Sequence, residues 1–289
     1  MKKSNTLVFL LAISALVLLL AASVTGIVLD DGGRPPYVFT SLRGENVDTY
    51  GGQGIYQYDN VYKAFGVRSF DWVSLVVVLP LSVLGLALYR RGQFKGRLML
   101  AALFTYLAYI YLLGVMGNAF NILFLVWTAL FSIGLFGLFF TLADMDIASV
   151  LGKLAPSFPQ KSLSVYVIIL GIILFLQYLS EVISAYVTFS PPASLDHYTT
   201  LELAAIELGI MVPLHIAAGV SLWRGKAWAY LAGILLAFAT FMTFIALSLS
   251  LLLYHFSSGK GDMFDTALTI VITFITAGFS WAAFRHVKD

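Results

Sequence analysis

Six side chains stand where hydrocarbon is expected. Between Leu163 and Trp223, two apolar spans are joined by a short loop running from Ser190-Pro191-Pro192 to Thr200. The first span carries Gln177 and Glu181, and the second carries Glu202, Glu207, Pro213 and His215. Ionisable groups inside a bilayer are expensive, and their default reading is functional. Gln177, Glu181, Ser184 and Thr188 follow at steps of four, three and four, which at about 100° per residue puts them on one stripe. Counted at 1.5 Å per residue, Glu181 and Glu207 both lie roughly 10 Å below the outer ends of their helices. If they meet, they do not both ionise cheaply, which makes a proton-sharing pair or a cation site. Glu202 is rotated about 140° from Glu207 and belongs at the rim. His215 is roughly 12 Å deeper, on an inward proton path without contact to Glu207. Pro213 frees a carbonyl one turn above, giving a kink or an extra ligand. Against these stand blander readings: a neutral acid hydrogen-bonded between helices, and a satisfied core histidine.

The elements that position these groups are membrane helices. With 60% hydrophobic and 11% charged residues in 289, the chain has too little polar surface to coat a soluble globule. Eight apolar runs approach the roughly 20 residues that cross a bilayer: 7–29, 72–89, 98–116, 121–141, 163–189, 201–223, 228–254 and 265–284. Lipid offers no partners to open backbone, so an all-α, eight-span bundle is expected. Placing the N-terminus in the cytoplasm puts Lys2, Lys3, Arg90, Arg91, Lys95, Arg97, Lys153, Lys161, Arg224, Lys226, Arg285 and Lys288 inside. Only Arg34, Arg43, Lys63, Arg68 and Lys260 then fall outside, so both termini are expected to be cytoplasmic, in an inner membrane. The net charge of +2 thus reflects topology and implies no nucleic-acid partner. There is no cysteine, hence no disulfide to staple an outer loop.

One membrane domain over 1–289 is expected, with an extracytoplasmic loop at 30–71 and a cytoplasmic connector at 142–162. The first apolar run continues to Leu29, longer than a signal-peptide core usually is, and favours an uncleaved first helix. In the outer loop, Val38 to Leu42 reads as a short strand and Val61 to Trp72 as a short interfacial helix. The loop is either a lid whose Tyr56, Tyr58, Asp59 and Asn60 face a ligand, or a structural cap with aromatics at headgroup level. Tyr106 and Tyr109 point inward, because a phenol in hydrocarbon wants a partner. Thr266, Thr269, Thr273, Thr276 and Ser280 form a hydroxyl stripe, which is either a polar lining or helix-packing glue.

Pro80-Leu81 and Pro213-Leu214 are each followed, eleven residues after the proline, by Arg-Gly: Arg91-Gly92 and Arg224-Gly225. Spans 1–4 and 5–8 are therefore read as a 4+4 parallel repeat. The run Gly54 to Asp59, Asp71 with Pro80-Leu81 and Arg90-Arg91-Gly92, Asn121, and Glu207 to Leu214 with Leu222-Trp223-Arg224 together resemble a group of uncharacterised prokaryotic multi-pass membrane proteins. The resemblance spans most of residues 20–250. In that group the position of Glu207 is more often an aspartate, and no activity or cofactor is implied.

Enzyme motifs are absent: no zinc-protease helix, no nucleophile elbow and no cysteine. His197, His255, Asp196, Asp262 and Asp265 gather at the outer mouth, where a metal site acting on lipid would need them, although their spacing is not a standard ligand set. Two classes lead. One is a carrier or channel for a small solute, proton or cation, coupled through Gln177, Glu181, Glu207 and His215. The other is a non-transporting sensor or assembly module that binds a partner through the outer loop.

Overall fold

The computed structural model describes residues 3–33, 35–259 and 261–288. It is a helical bundle with eight helices long and apolar enough to cross a membrane, one on each run expected from the sequence. The α-helices are α1 (Lys3–Val28), α2 (Val61–Val73), α3 (Leu79–Arg90), α4 (Phe94–Gly117), α5 (Phe124–Ala143), α6 (Gln160–Thr188), α7 (Glu202–Ile206), α8 (Val212–Trp223), α9 (Ala227–Ser258) and α10 (Met263–Arg285).

Two of the spans are composite, and a proline is the reason. α2 runs without a break through a π turn (Ser74–Val78) into α3, so the stretch read as a separate interfacial helix is the outer end of one 30-residue span. Pro80 has no N–H, and its ring crowds the carbonyl four residues back. The π turn relieves this with a wider bond, from Leu79 N–H to Ser74 O. α7, a π turn (Glu207–Met211) and α8 repeat the arrangement around Pro213, with Val212 N–H on Glu207 O. From the π turn onward the boundaries in the second half are the first-half numbers plus 133: 74 to 207, 79 to 212, and the capping arginine 91 to 224. Gly92 and Gly225 then take the left-handed turn at φ 76° and 73°, which a side chain resists.

α4 is the central helix. Leu98 to Phe104 is buried without interruption, as expected of a helix apolar on every side. One apolar core joins α1, α2, α4, α5 and α9 around Leu19, Phe65, Leu107, Leu130 and Met242. A second joins α4, α6, α8, α9 and α10 around Leu98, Leu163, Leu222, Ile234 and Ala283. Gly134 is part of this packing, since a Cβ there would overlap the α4 backbone at Ala108.

Outside the bundle, β1 (Val38–Thr40) pairs antiparallel with β2 (Asn46–Asp48), Phe39 facing Val47. The strand is shorter than the sequence suggests and turns back through Gly44 at φ 85°. An ion pair from Arg68 to Asp30, with Tyr50 bridging both, ties the loop to α2. On the opposite side, the connector forms a 3-10 turn (Ile147–Lys153) that meets the chain end through Lys288 N–H to Lys153 O at 2.7 Å.

Candidate functional site

The tyrosines of α4 face the two π turns. Tyr106 hydroxyl meets Ser74 Oγ at 2.8 Å, and one turn outward Tyr109 hydroxyl donates to Glu207 Oε1. Ser74 and Glu207 are the first residues of the two π turns, so matching positions in the two turns reach the same helix. Glu207 is 3% exposed. Its second oxygen, Oε2, is buried with no hydrogen-bond partner, and among the described residues no cation pairs with it. An ionised carboxylate held this way costs several kcal/mol. A proton or a bound cation on Oε2 removes that cost.

Glu181 does not join Glu207. Its Oε1 accepts from the backbone N–H of Ser194 at 3.3 Å and, more closely, from the Ser194 hydroxyl. The loop after α6 folds back and supplies a nearer donor, while the π turn shifts the helical phase so that Glu207 faces α4. The two departures have different causes: a long-range loop contact for Glu181, and for Glu207 a turn that does not keep 100° per residue. Gln177 lies on the exposed side of α6. His215 is buried at 2%, its Nδ1 donating to Met211 O at 2.7 Å and its Nε2 without a partner. Glu202 is at the rim, as expected, bonded to Lys63 Nζ at 2.5 Å.

The outer loop is held by its own polar residues. Tyr56 is fully buried and donates to Asp71, a contact that exists because Gly26 has no side chain to fill the space. Asp59, also fully buried, accepts from Ala119 N–H at 2.8 Å, Tyr198 hydroxyl at 2.9 Å and Asn118 Nδ2 at 3.4 Å. Burial raises its pKa above the usual carboxylate range, and these donors oppose the rise. Asn60 caps α2 through Lys63 N–H at 2.7 Å and donates to Asp196 at 2.5 Å. Lys63 also donates to Gly117 O at 2.6 Å and lies 3.6 Å from the Tyr198 ring centre. Of the four loop residues singled out from sequence, only Tyr58 is exposed. It lines an outer pocket of about 370 Å³ with Phe39, Met116, Asn118, His197 and Tyr198.

Tyr198 and Lys63 were not foreseen. Nothing in the spacing of residues 139 apart marks the contact between Asp59 and Tyr198. Four of the outer His and Asp residues go to separate tasks: His197 stacks on Tyr198, His255 binds Gly261 O, Asp196 accepts from Asn60, and Asp262 caps α10. No group of three or more His, Cys, Asp or Glu among the described residues is placed to hold a metal ion. The α10 hydroxyls bond to backbone carbonyls, Ser280 to Ala237 O and Thr273 to Phe244 O, and fasten α10 to α9.

Compared with protein-family models, curated proteins and solved structures, the chain finds no match. No family is shown by these comparisons, and what stands is the architecture, eight helices long and apolar enough to span a membrane.

Proposed function

We propose that the protein is a carrier or channel for a small solute or ion in a cytoplasmic membrane, with both termini cytoplasmic and Glu207 as its proton- or cation-coupling carboxyl. The observation that carries this reading is the buried Glu207 Oε2 without a partner, beside an oxygen already bonded to Tyr109. Such a group changes its free energy sharply when a proton or cation arrives, which is what coupling requires. His215, with its bare Nε2, extends the polar route inward. Gln177 and Glu181 line its outer approach. The equal 133-residue offset of the π turns, prolines and capping arginines supports a 4+4 repeat, with the coupling site where both halves meet α4.

The test is proton flux into liposomes loaded with a pH-sensitive dye under an imposed potential. Wild type should carry protons, Glu207→Gln should not, and Tyr109→Phe should fall between, all three melting alike. Undiminished flux through Glu207→Gln would sink the reading.

A second reading, a module that binds a partner, is favoured by the fastening of Asp59 and Asn60, which holds Phe39 and Tyr58 exposed on a fixed outer surface. A module tolerates Glu207→Gln and loses its partner when Phe39 and Tyr58 become Ala, as read by crosslinking in native membranes.

A further inference from the structure

The loops outside the bundle bring together rings that the sequence keeps far apart. Tyr198 carries the Lys63 ammonium 3.6 Å from its ring centre and the His197 ring stacked at 4.3 Å. His197 in turn meets Phe39 of β1 at 5.4 Å, tilted by 59°. These three rings, with Tyr58, Met116 and Asn118, line the outer pocket of about 370 Å³. Small-molecule sites occupy about 300–1,000 Å³ and are mostly apolar and aromatic with a few polar groups.

The walls are held in place. Asp59 accepts from the Tyr198 hydroxyl, Ala119 N–H and Asn118 Nδ2, so one buried carboxyl fixes three residues that border the pocket. Arg43 donates to the Tyr198 carbonyl at 3.1 Å, which ties the turn after β1 to the same wall. A concave surface fixed in this way loses little freedom when a ligand arrives. Among the described residues no Lys, Arg, Asp or Glu lines the pocket. Burial lowers the His197 pKa, which keeps its imidazole neutral. Lys63 is paired with Glu202 at 2.5 Å, and its ammonium against Tyr198 opposes a second cation in the same stack.

We propose that this pocket is a binding site for an uncharged aromatic molecule of one or two rings, of the phenol or indole class, entering from the outer aqueous side. The ring of the ligand packs against the Tyr198, His197 and Phe39 rings, where stacked or edge-to-face pairs add to plain burial. Its hydroxyl or N–H has the Asn118 amide among its neighbours. The site goes beyond the carrier reading and does not depend on it.

The chain has no cysteine, so Met116→Cys, exposed at the pocket, is a single reporter. In liposomes its labelling by a membrane-impermeant maleimide is followed with phenol, cyclohexanol, benzylammonium or benzoate present. Phenol should slow labelling at about a tenth of the concentration that cyclohexanol needs, which corresponds to ~1.4 kcal/mol. The two charged rings should do no better than cyclohexanol. Phe39→Leu keeps apolar bulk without the ring; it should abolish the advantage of phenol and leave cyclohexanol unchanged. Ser257→Cys, exposed near the end of α9 and not bordering the pocket, should label at one rate throughout. Equal potency of phenol and cyclohexanol, or an advantage that survives Phe39→Leu, overturns the proposal. So does stronger protection by benzylammonium, or equal slowing at Ser257→Cys. Protection by none of the four overturns it too, and leaves the surface to a protein partner. Protection without proton flux refutes the carrier reading and leaves the site standing; flux without protection does the reverse.

Discussion

Tyr198→Phe tests whether the outer loop is held by a few buried bonds. The substitution keeps the ring, so its stack on His197 at 4.3 Å and the Lys63 ammonium at 3.6 Å survive. What is lost is the 2.9 Å bond to a carboxyl with no solvent exposure, together with a longer bond accepted from Asn60 N–H at 3.4 Å. Hydrogen bonds to charged groups contribute about 1.5–3 kcal/mol. Asp59 keeps Ala119 N–H at 2.8 Å and a longer bond from Asn118 at 3.4 Å, so the middle of that range applies. A loss of about 2 kcal/mol raises local opening about thirtyfold. Hydrogen exchange of the Ala119 amide, which Asp59 covers, reads this directly and should accelerate by that factor while the membrane helices keep their protection. An unchanged Ala119 rate, or acceleration spread evenly through the bundle, would refute the argument. The pH dependence has a definite sign. Because burial raises the Asp59 pKa in the folded protein, the folded state holds the proton more tightly. Its contribution is fully present below the unfolded value of 3.8 and is lost as pH rises through the folded one. Asp59→Asn should flatten that decline.

Three further outcomes are expected. Burial lowers the His197 pKa, so its contribution is present above 6.5 and lost as pH falls through the folded value. His197→Phe should remove that loss, measured as the difference from wild type because Asp59 acts in the opposite direction. Gly26→Ala should destabilise by about 1–3 kcal/mol, since the new Cβ overlaps Asp71 Oδ2 and Tyr56 hydroxyl; an unchanged melting temperature would show that the space is free. Deleting Gly209, around which a Cβ would meet nothing within 4 Å, should turn the π turn into α-helix. The outer end would rotate by about 100°, taking Glu207 off Tyr109 and stopping flux, and intact flux would count against the coupling role of that contact.

Much of the architecture was legible because a bilayer demands long apolar runs, and all eight helices fell on the runs expected. Glu202 at the rim was legible too, since a simple rotation along one helix locates it. The partner of Glu207 was not. Hydropathy cannot register one surplus residue in a helix, and that residue decides whether Glu207 faces α6 or α4. The prolines at 80 and 213 were the available signal, but a proline announces a disturbance without giving its form. The outer fastening was hidden for another reason: Asp59 meets Tyr198 and Ala119 only after the bundle has assembled, and contacts between distant loops leave no periodicity to read.

The paired π turns also bear on history. A π turn arises most simply when a single residue is inserted into an α-helix that has no means of shedding it. If the two halves are copies, finding the surplus residue at positions 74–78 and again at 207–211 dates the insertion before the doubling. The ancestor would then have been a four-helix unit that already carried the flaw. On that history one copy would have placed Ser74 on α4 and the other Glu207, so a single inherited irregularity would have supplied two sockets, of which one acquired a carboxyl.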